Sequence, residues 1–249
     1  MHSPATRPRF RDLPSPIPPH PGDAAITSER ARNYRQVLAR RFSRLAVVVE
    51  DCVDPHNASA IVRTCDAFGL HTVAVVTGRN SFRLNPKICQ GSHRYLDLRI
   101  HAKIEECYAQ LRAEGYRILV SDLAADAVAG PGLLKDTLAA QPLALVFGNE
   151  GSGVTPAAVA GADGCFLIPM VGFPQSLNLS VSVATTIYAL RGAALEADAP
   201  GDLTPEAQRA WYERWLKGHA GPAVEALMAA GGPAPGEDRH GEAVEAWRA

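Results

Sequence analysis

Short apolar runs alternate with amphipathic stretches along most of this chain. Residues 45–49 and 143–147 are each five apolar residues in a row, a length that suits strands buried on both faces. The pattern predicts strands at 45–50, 72–77, 96–100, 116–121, 143–147 and 165–169. Between them the 3.6-residue period predicts helices over 55–68 and 103–114, a short one beginning near Thr155-Pro156, and a long one over 178–194. Strands and helices alternating in this order predict an α/β domain over residues 45–195, its mainly parallel sheet covered by helices on both faces.

The flanks read differently. Residues 1–22 contain seven prolines, which would break any regular helix, so residues 1–26 are expected to be a disordered leader. Residues 27–44 are expected to form a basic helical arm. After residue 198 the composition shifts to Ala, Gly, Pro and acids, and 196–249 is expected to be a helical extension. Thr204-Pro205 starts its main helix as cap and first-turn proline, and Gly/Pro at 231–236 breaks it. On that helix Trp211 and Trp215 lie one turn apart, with Tyr212 between them, either to stack on bases or to dock the helix; docking is the expectation.

Charge and composition narrow the picture. The net charge is −1, but residues 1–45 hold nine Arg against three acids, whereas 192–249 hold five cations against ten acids. A basic arm fits either a polyanionic partner or a solvated helix; Arg32, Arg35 and Arg41 are its candidate phosphate contacts. With 47% apolar and 20% charged residues the chain is globular. No apolar run approaches the roughly 18 residues that span a bilayer, so no membrane association is expected. No apolar segment follows Met1, so no export signal is expected. The five cysteines form no CxxC pair, which fits a reducing cytoplasm. The histidines show no HxH or HExxH spacing, so no metal is expected.

Three segments carry candidate chemistry. In Asp54-Pro55-His56-Asn57-Ala58-Ser59-Ala60-Ile61-Val62-Arg63-Thr64, Asp54 is a good cap and Ala58, Ile61, Val62, Cys65 and Phe68 share one face. Arg63 points about 160° from the centre of that stripe, beside Ala60 and Ala67, free either for a ligand or for solvent. In Leu143-Ala-Leu-Val-Phe-Gly148-Asn149-Glu150-Gly151-Ser152-Gly153-Val154, a buried strand runs into three glycines within six residues. The segment lacks the Lys-Ser/Thr of a P-loop and the third glycine of a dinucleotide fingerprint, which disfavours a nicotinamide oxidoreductase. In Ile168-Pro-Met-Val-Gly172-Phe-Pro-Gln175-Ser176-Leu177-Asn178-Leu179-Ser180-Val181, Ser176 or Asn178 could cap the following helix. That helix is apolar on two sides: Leu179, Val183, Ile187 and Leu190 form one stripe, Val181, Ala184 and Tyr188 the other. Two apolar sides predict burial on two sides, one against a second copy of the chain.

Taken together and in order, these three motifs resemble the SpoU-type (TrmH-like) class of RNA ribose 2′-O-methyltransferases, within the SPOUT superfamily. The resemblance covers roughly residues 30–195, and the stretches around 29–41 and 47–69 are most similar to members that methylate the D-loop guanosine at position 18 of tRNA. It implies a sheet whose C-terminal segment forms a trefoil knot, a homodimer, and S-adenosyl-L-methionine as methyl donor. By the same resemblance the donor is held by Phe147, Gly148, Asn149, Gly151, Ile168, Met170, Leu177 and Val181. Arg63, Asn57, Glu150, Ser176 and Asn178 fall at the family's catalytic positions. A guanidinium is a poor free base, so Arg63 is expected to orient a phosphate and stabilise the developing alkoxide. A ribosomal RNA target and a catalytically inactive RNA-binding module are the alternatives.

Overall fold

The computed structural model describes residues 11–78, 82–123 and 127–229. The chain divides into two compact units, Phe42–Ala199 and a second made of Met1–Arg41 with Pro200–Ala249. In chain order the helices are α1 (Ser28–Leu38), α2 (Pro55–Ala67), α3 (Pro86–Cys89), α4 (Ile104–Ala113), α5 (Lys135–Ala140), α6 (Pro156–Gly161), α7 (Leu179–Glu196) and α8 (Pro205–Ala229). The strands are β1 (Leu45–Glu50), β2 (Thr72–Val76), β3 (Asp97–His101), β4 (Arg117–Ser121), β5 (Val128–Ala129), β6 (Leu143–Phe147) and β7 (Cys165–Leu167).

Within Phe42–Ala199 the strands form one parallel sheet in the order β3-β2-β1-β6-β4-β7-β5. Val47 sits opposite both Val73 and Leu145, at the centre. Alternation along the strands sends Leu45, Val47, Val49 and Leu145 to one face, against α2 and α7, through Ile61, Val62, Val183 and Ile187. Ala46, Val48, Ala144 and Val146 face the other way, against Cys107, Tyr108 and Leu111 of α4 and Ala158 of α6. Each buried Val or Leu contributes about 1.5–3 kcal/mol, so both layers are needed to hold the sheet. This is the α/β sheet expected. Sequence periodicity missed α3, β5 and α5, each too short to show a period.

The terminal unit corrects the expected disordered leader. Residues 1–10 and the Gly/Pro break at 231–236 lie outside the described residues, but residues 11–26 are packed. Leu13 and Ile17 are buried, and Pro21–Ala25 forms a 3₁₀ turn capped by His20. Gln36 of α1 holds the backbone of Leu13 from both sides, accepting from its N–H at 2.9 Å and donating to its carbonyl at 3.0 Å. The prolines forbid a regular helix but leave the apolar residues between them able to dock. The same unit buries Tyr212 and Trp215 of α8. Tyr34 packs edge-on against both rings, so the aromatic residues dock α8, but through Tyr212 and Trp215 against α1, with Trp211 of the expected pair only half-buried. The arm and the extension thus form one packed body rather than separate appendages.

Candidate functional site

The C-terminal ends of parallel strands are where open α/β sheets place ligands, because the chain there leaves the sheet in loops on either side. Here the loop after β6 is built with little freedom. Asn149 and Gly153 exchange both backbone hydrogen bonds at 2.9 Å. A Cβ on Gly148 would lie 2.1 Å from the Gly153 carbonyl carbon, so this close approach requires glycine. Two clamps tie the loop to the end of β1. Asn149 Nδ2 donates to the Asp51 carbonyl at 2.8 Å. The buried Glu50 carboxylate accepts from Thr155 N–H at 2.8 Å and Thr155 Oγ1 at 2.7 Å.

So held, Glu150 meets α2. Asn57 Nδ2 donates to Glu150 Oε1 at 2.8 Å, and the Cys52 thiol donates to the same oxygen at 3.4 Å. Asn57 Oδ1 in turn accepts from Asn178 Nδ2 at 3.0 Å. The other end of Asn178 caps α7, its Oδ1 accepting from Ser180 N–H at 2.9 Å and from Val181 N–H at 3.3 Å. One chain of side-chain hydrogen bonds therefore joins all three motif segments. Of the two candidate caps, Asn178 rather than Ser176 caps α7, and it connects to Asn57 as well. Partial burial pushes the Glu150 carboxyl upward, but donation from Asn57, backbone N–H groups and Cys52 outweighs it and holds the group below its ordinary value. Burial, and then the Glu150 charge, push the Cys52 thiol up to about 12, so it stays protonated and can donate.

Beside this network lies a cavity of about 300 Å³ at the ends of β4, β6 and β7, near the lower limit of the roughly 300–1,000 Å³ typical of small-molecule sites. Of the expected donor-binding residues it is lined by Phe147, Gly148, Asn149, Gly151, Ile168, Met170 and Leu177, and Glu150 and Ser176 line it too. Val181 does not. It lies 47% exposed on the second stripe of α7, while Leu179 and Ser182 of that helix face the cavity. Ser121, Asp122 and Leu123 also line it. Sequence reasoning missed them, although their place at the end of a predicted parallel strand was a usable signal. Arg63 is outside the cavity, exposed on α2, with Nη1 donating to the Ile88 carbonyl at 3.3 Å.

The expected RNA contacts of the basic arm need correction. Arg41 is fully buried with its guanidinium 5.7 Å from the Trp215 ring centre. Arg35 pairs with Asp23 at 2.6 Å, donates to the Pro18 carbonyl at 3.1 Å and stacks 4.5 Å from the Tyr212 ring centre. Both hold the terminal unit together and present no cation to a phosphate. Arg32 stays at the surface, 3.2 Å from Asp12. Among the described residues no group of three or more His, Cys, Asp or Glu is arranged to hold a metal ion. No helix among them is long and apolar enough to cross a membrane.

Comparison with known proteins follows the same outline. Residues 44–188 match the SpoU rRNA Methylase family. The tRNA (guanosine(18)-2′-O)-methyltransferase of Thermus thermophilus is 36% identical over 197 residues, covering 77% of this chain and 97% of that protein. The crystal structure of the A. aeolicus TrmH/SpoU tRNA modifying enzyme superposes with a TM-score of 0.68 at 30% identity, covering 76% of this chain and 96% of that one. The SpoU methyltransferase AviRb from Streptomyces viridochromogenes, solved in complex with AdoMet, shares the fold with a TM-score of 0.54 at 23% identity, over 64% of each chain.

Proposed function

Because this chain belongs to the SpoU rRNA Methylase family, we propose that it methylates a ribose 2′-hydroxyl of RNA, the guanosine at position 18 of tRNA, using S-adenosyl-L-methionine. The observation that carries this reading is the Cys52–Glu150–Asn57–Asn178 chain of hydrogen bonds beside the cavity. It ties the three motif segments into one site where loose loops would not. The 36% identity across nearly the whole length of a tRNA guanosine-18 enzyme favours tRNA over ribosomal RNA as target.

The cavity fits the methyl donor by its chemistry. Two carboxylates, Asp122 and Glu150, suit the sulfonium and ammonium charges, while Phe147, Leu167 and Ile168 offer apolar surface to a nucleoside. When bound there, S-adenosylmethionine supplies an already activated methyl group. The protein's task is then alignment and removal of the ribose proton. Glu150, fixed from one side by Asn57 and Cys52, holds one wall of the cavity in register with the α7 cap. Ser176 and Leu177, on the loop before α7, close another wall. Arg63, exposed on α2, orients an RNA phosphate and stabilises charge developing on the ribose oxygen, which its planar fork can do for both groups at once.

The working form is a homodimer in the cytoplasm, with the C-terminal segment of residues 42–199 threaded as a trefoil knot and each site completed by Arg63 of the other copy. In support, Val181 and Tyr188 of α7 and Val171 and Phe173 of the preceding loop are all exposed, apolar surface of the kind a second subunit covers. The test is methyl transfer from S-adenosylmethionine to an unmodified tRNA transcript, followed by mapping of 2′-O-methyl groups. Methylation at guanosine 18, lost when that residue is replaced, is the expected result. A chain that leaves tRNA unmethylated and modifies ribosomal RNA fragments instead would be a ribosomal RNA enzyme.

A further inference from the structure

The expected RNA-binding arm is largely locked inside the terminal unit, so the cations that meet the RNA must be sought elsewhere. Residues 82–95, between β2 and β3, hold Arg83, Lys87, His93 and Arg94 and no Asp or Glu. Arg83, Lys87 and Arg94 are exposed, and among the described residues none makes an ion pair or hydrogen bond with its side chain. Elsewhere in Phe42–Ala199, Arg99 is held by Asp97 and Glu114, and the exposed Arg112 by Asp163. Leaving three neighbouring cations unpaired costs self-repulsion, which a polyanion would relieve.

The segment is also fixed in place. The Asn85 N–H donates to Ser59 Oγ at 2.6 Å, and Arg63 Nη1 donates to the Ile88 carbonyl at 3.3 Å. Ser59 and Arg63 are four residues apart and so share a flank of α2. Asn85 caps α3 through the Lys87 N–H at 3.0 Å. Gln90 (φ 48°) and Gly91 (φ 82°) then turn the chain back through a left-handed pair into the 3₁₀ turn Ser92–Tyr95, which carries Arg94. Cys89 and Leu96, both 1% exposed, anchor the two sides of that turn in the core. The cations thus ride on a scaffold bonded to the helix whose first turn supplies Asn57 to the site.

We infer that Arg83, Lys87 and Arg94 form, with Arg63, the surface that tracks the phosphates of the substrate RNA on either side of the target nucleotide. This rests on the proposed RNA methyl transfer and names the face of the protein that receives the RNA. Phosphate contacts of this kind set position and affinity, while the choice of base is made elsewhere.

The experiment measures binding of an unmodified tRNA transcript to the full chain over a series of salt concentrations. It compares the native protein, the triple variant Arg83→Ala/Lys87→Ala/Arg94→Ala, and a control triple, Lys103→Ala/Arg117→Ala/Lys135→Ala, which removes the same charge at other exposed positions. The expected result is a salt slope shallower by roughly 2 for the first triple, at about 0.7–0.9 per contact. The KM for RNA should rise with kcat and S-adenosylmethionine affinity unchanged, and the control should leave the slope as it was. Equal slopes for native protein and first triple, or equal losses in both triples, overturn the assignment. All six side chains are exposed, so matching melting temperatures will show that the variants fold. Failure of the native chain to bind or methylate any RNA would overturn the proposed function itself, a result distinct from failure of this surface.

Discussion

Individual side chains here serve two purposes at once, and substitution can separate them. Asn178 caps α7 and also reaches Asn57. Asn178→Ala should lower stability by about 1 kcal/mol for the lost cap, while methyl transfer falls by far more, since the chain from Glu150 to α7 is cut. Thermal melting and single-turnover rates on the same sample check this; a rate loss no larger than the stability loss would reduce Asn178 to a cap. Gly148→Ala tests the loop geometry. Its new methyl group would overlap the Gly153 backbone, so the loop must move. We expect a loss of at least about 1–3 kcal/mol together with loss of donor binding, read by melting and calorimetry.

The same scale governs pH. Glu150 has a folded-state value below its ordinary one, so whatever it contributes is present above the unfolded carboxylate range and is lost as pH falls through the lower folded value. Asn57→Ala removes a main donor and leaves the upward push of burial less opposed. The acid limb of the pH–rate profile should therefore move to higher pH in that variant. An unmoved limb would mean that Glu150 does not govern the rate.

At the scale of elements, burial decides what a basic residue does. α1 looks like a phosphate-binding helix in one dimension, yet Arg41, three residues beyond its end, is enclosed in the terminal unit and Arg35 is committed to Asp23, Tyr212 and the leader backbone. Arg41→Ala should destabilise the protein by roughly 2 kcal/mol or more through lost packing and stranded polar neighbours, whereas Arg32→Ala should cost within about 0.5 kcal/mol. Denaturant titration of both variants checks the contrast, and equal effects would contradict the assigned packing. α7 shows the complementary case. Its first stripe is buried in the core, while Val181 and Tyr188 on the second remain exposed. That second stripe earns its apolar character only if something outside the described fold covers it.

At the scale of the whole molecule, the separation of Arg63 from the cavity carries the main prediction. If Arg63 of one copy serves the donor loops of the other, two inactive variants should complement each other. Arg63→Ala mixed with Gly148→Ala should regain one complete site per heterodimer, while each homodimer stays inactive. Lack of recovery in verified heterodimers would place the site within one copy, and an active Arg63→Ala homodimer would remove Arg63 from the chemistry. Arg63→Lys should also fail, because a point charge cannot replace a planar fork.

Taken alone, the amino-acid sequence determined what depends on local period and on residue type. The five-residue apolar runs read as strands buried on both faces, and the caps Asp54, Thr155 and Asn178 marked where helices begin. The three motif segments were visible as strand-to-loop junctions rich in glycine, asparagine and serine, and most of the cavity lining was legible in them. Tertiary structure alone decided which distant residues meet. Cys52 and Glu150 are 98 residues apart, and no periodicity relates them. Ser121 and Asp122 join the cavity only because the parallel sheet brings the end of β4 beside the end of β6. Tertiary structure also packed residues 11–26 of the proline-rich leader and committed two of the arm's arginines, the buried Arg41 and the half-buried Arg35, to the terminal unit. The physical reason is common to all of these: propensity and period act over neighbours in sequence, whereas burial and hydrogen-bond pairing depend on contacts that exist only after the chain has folded.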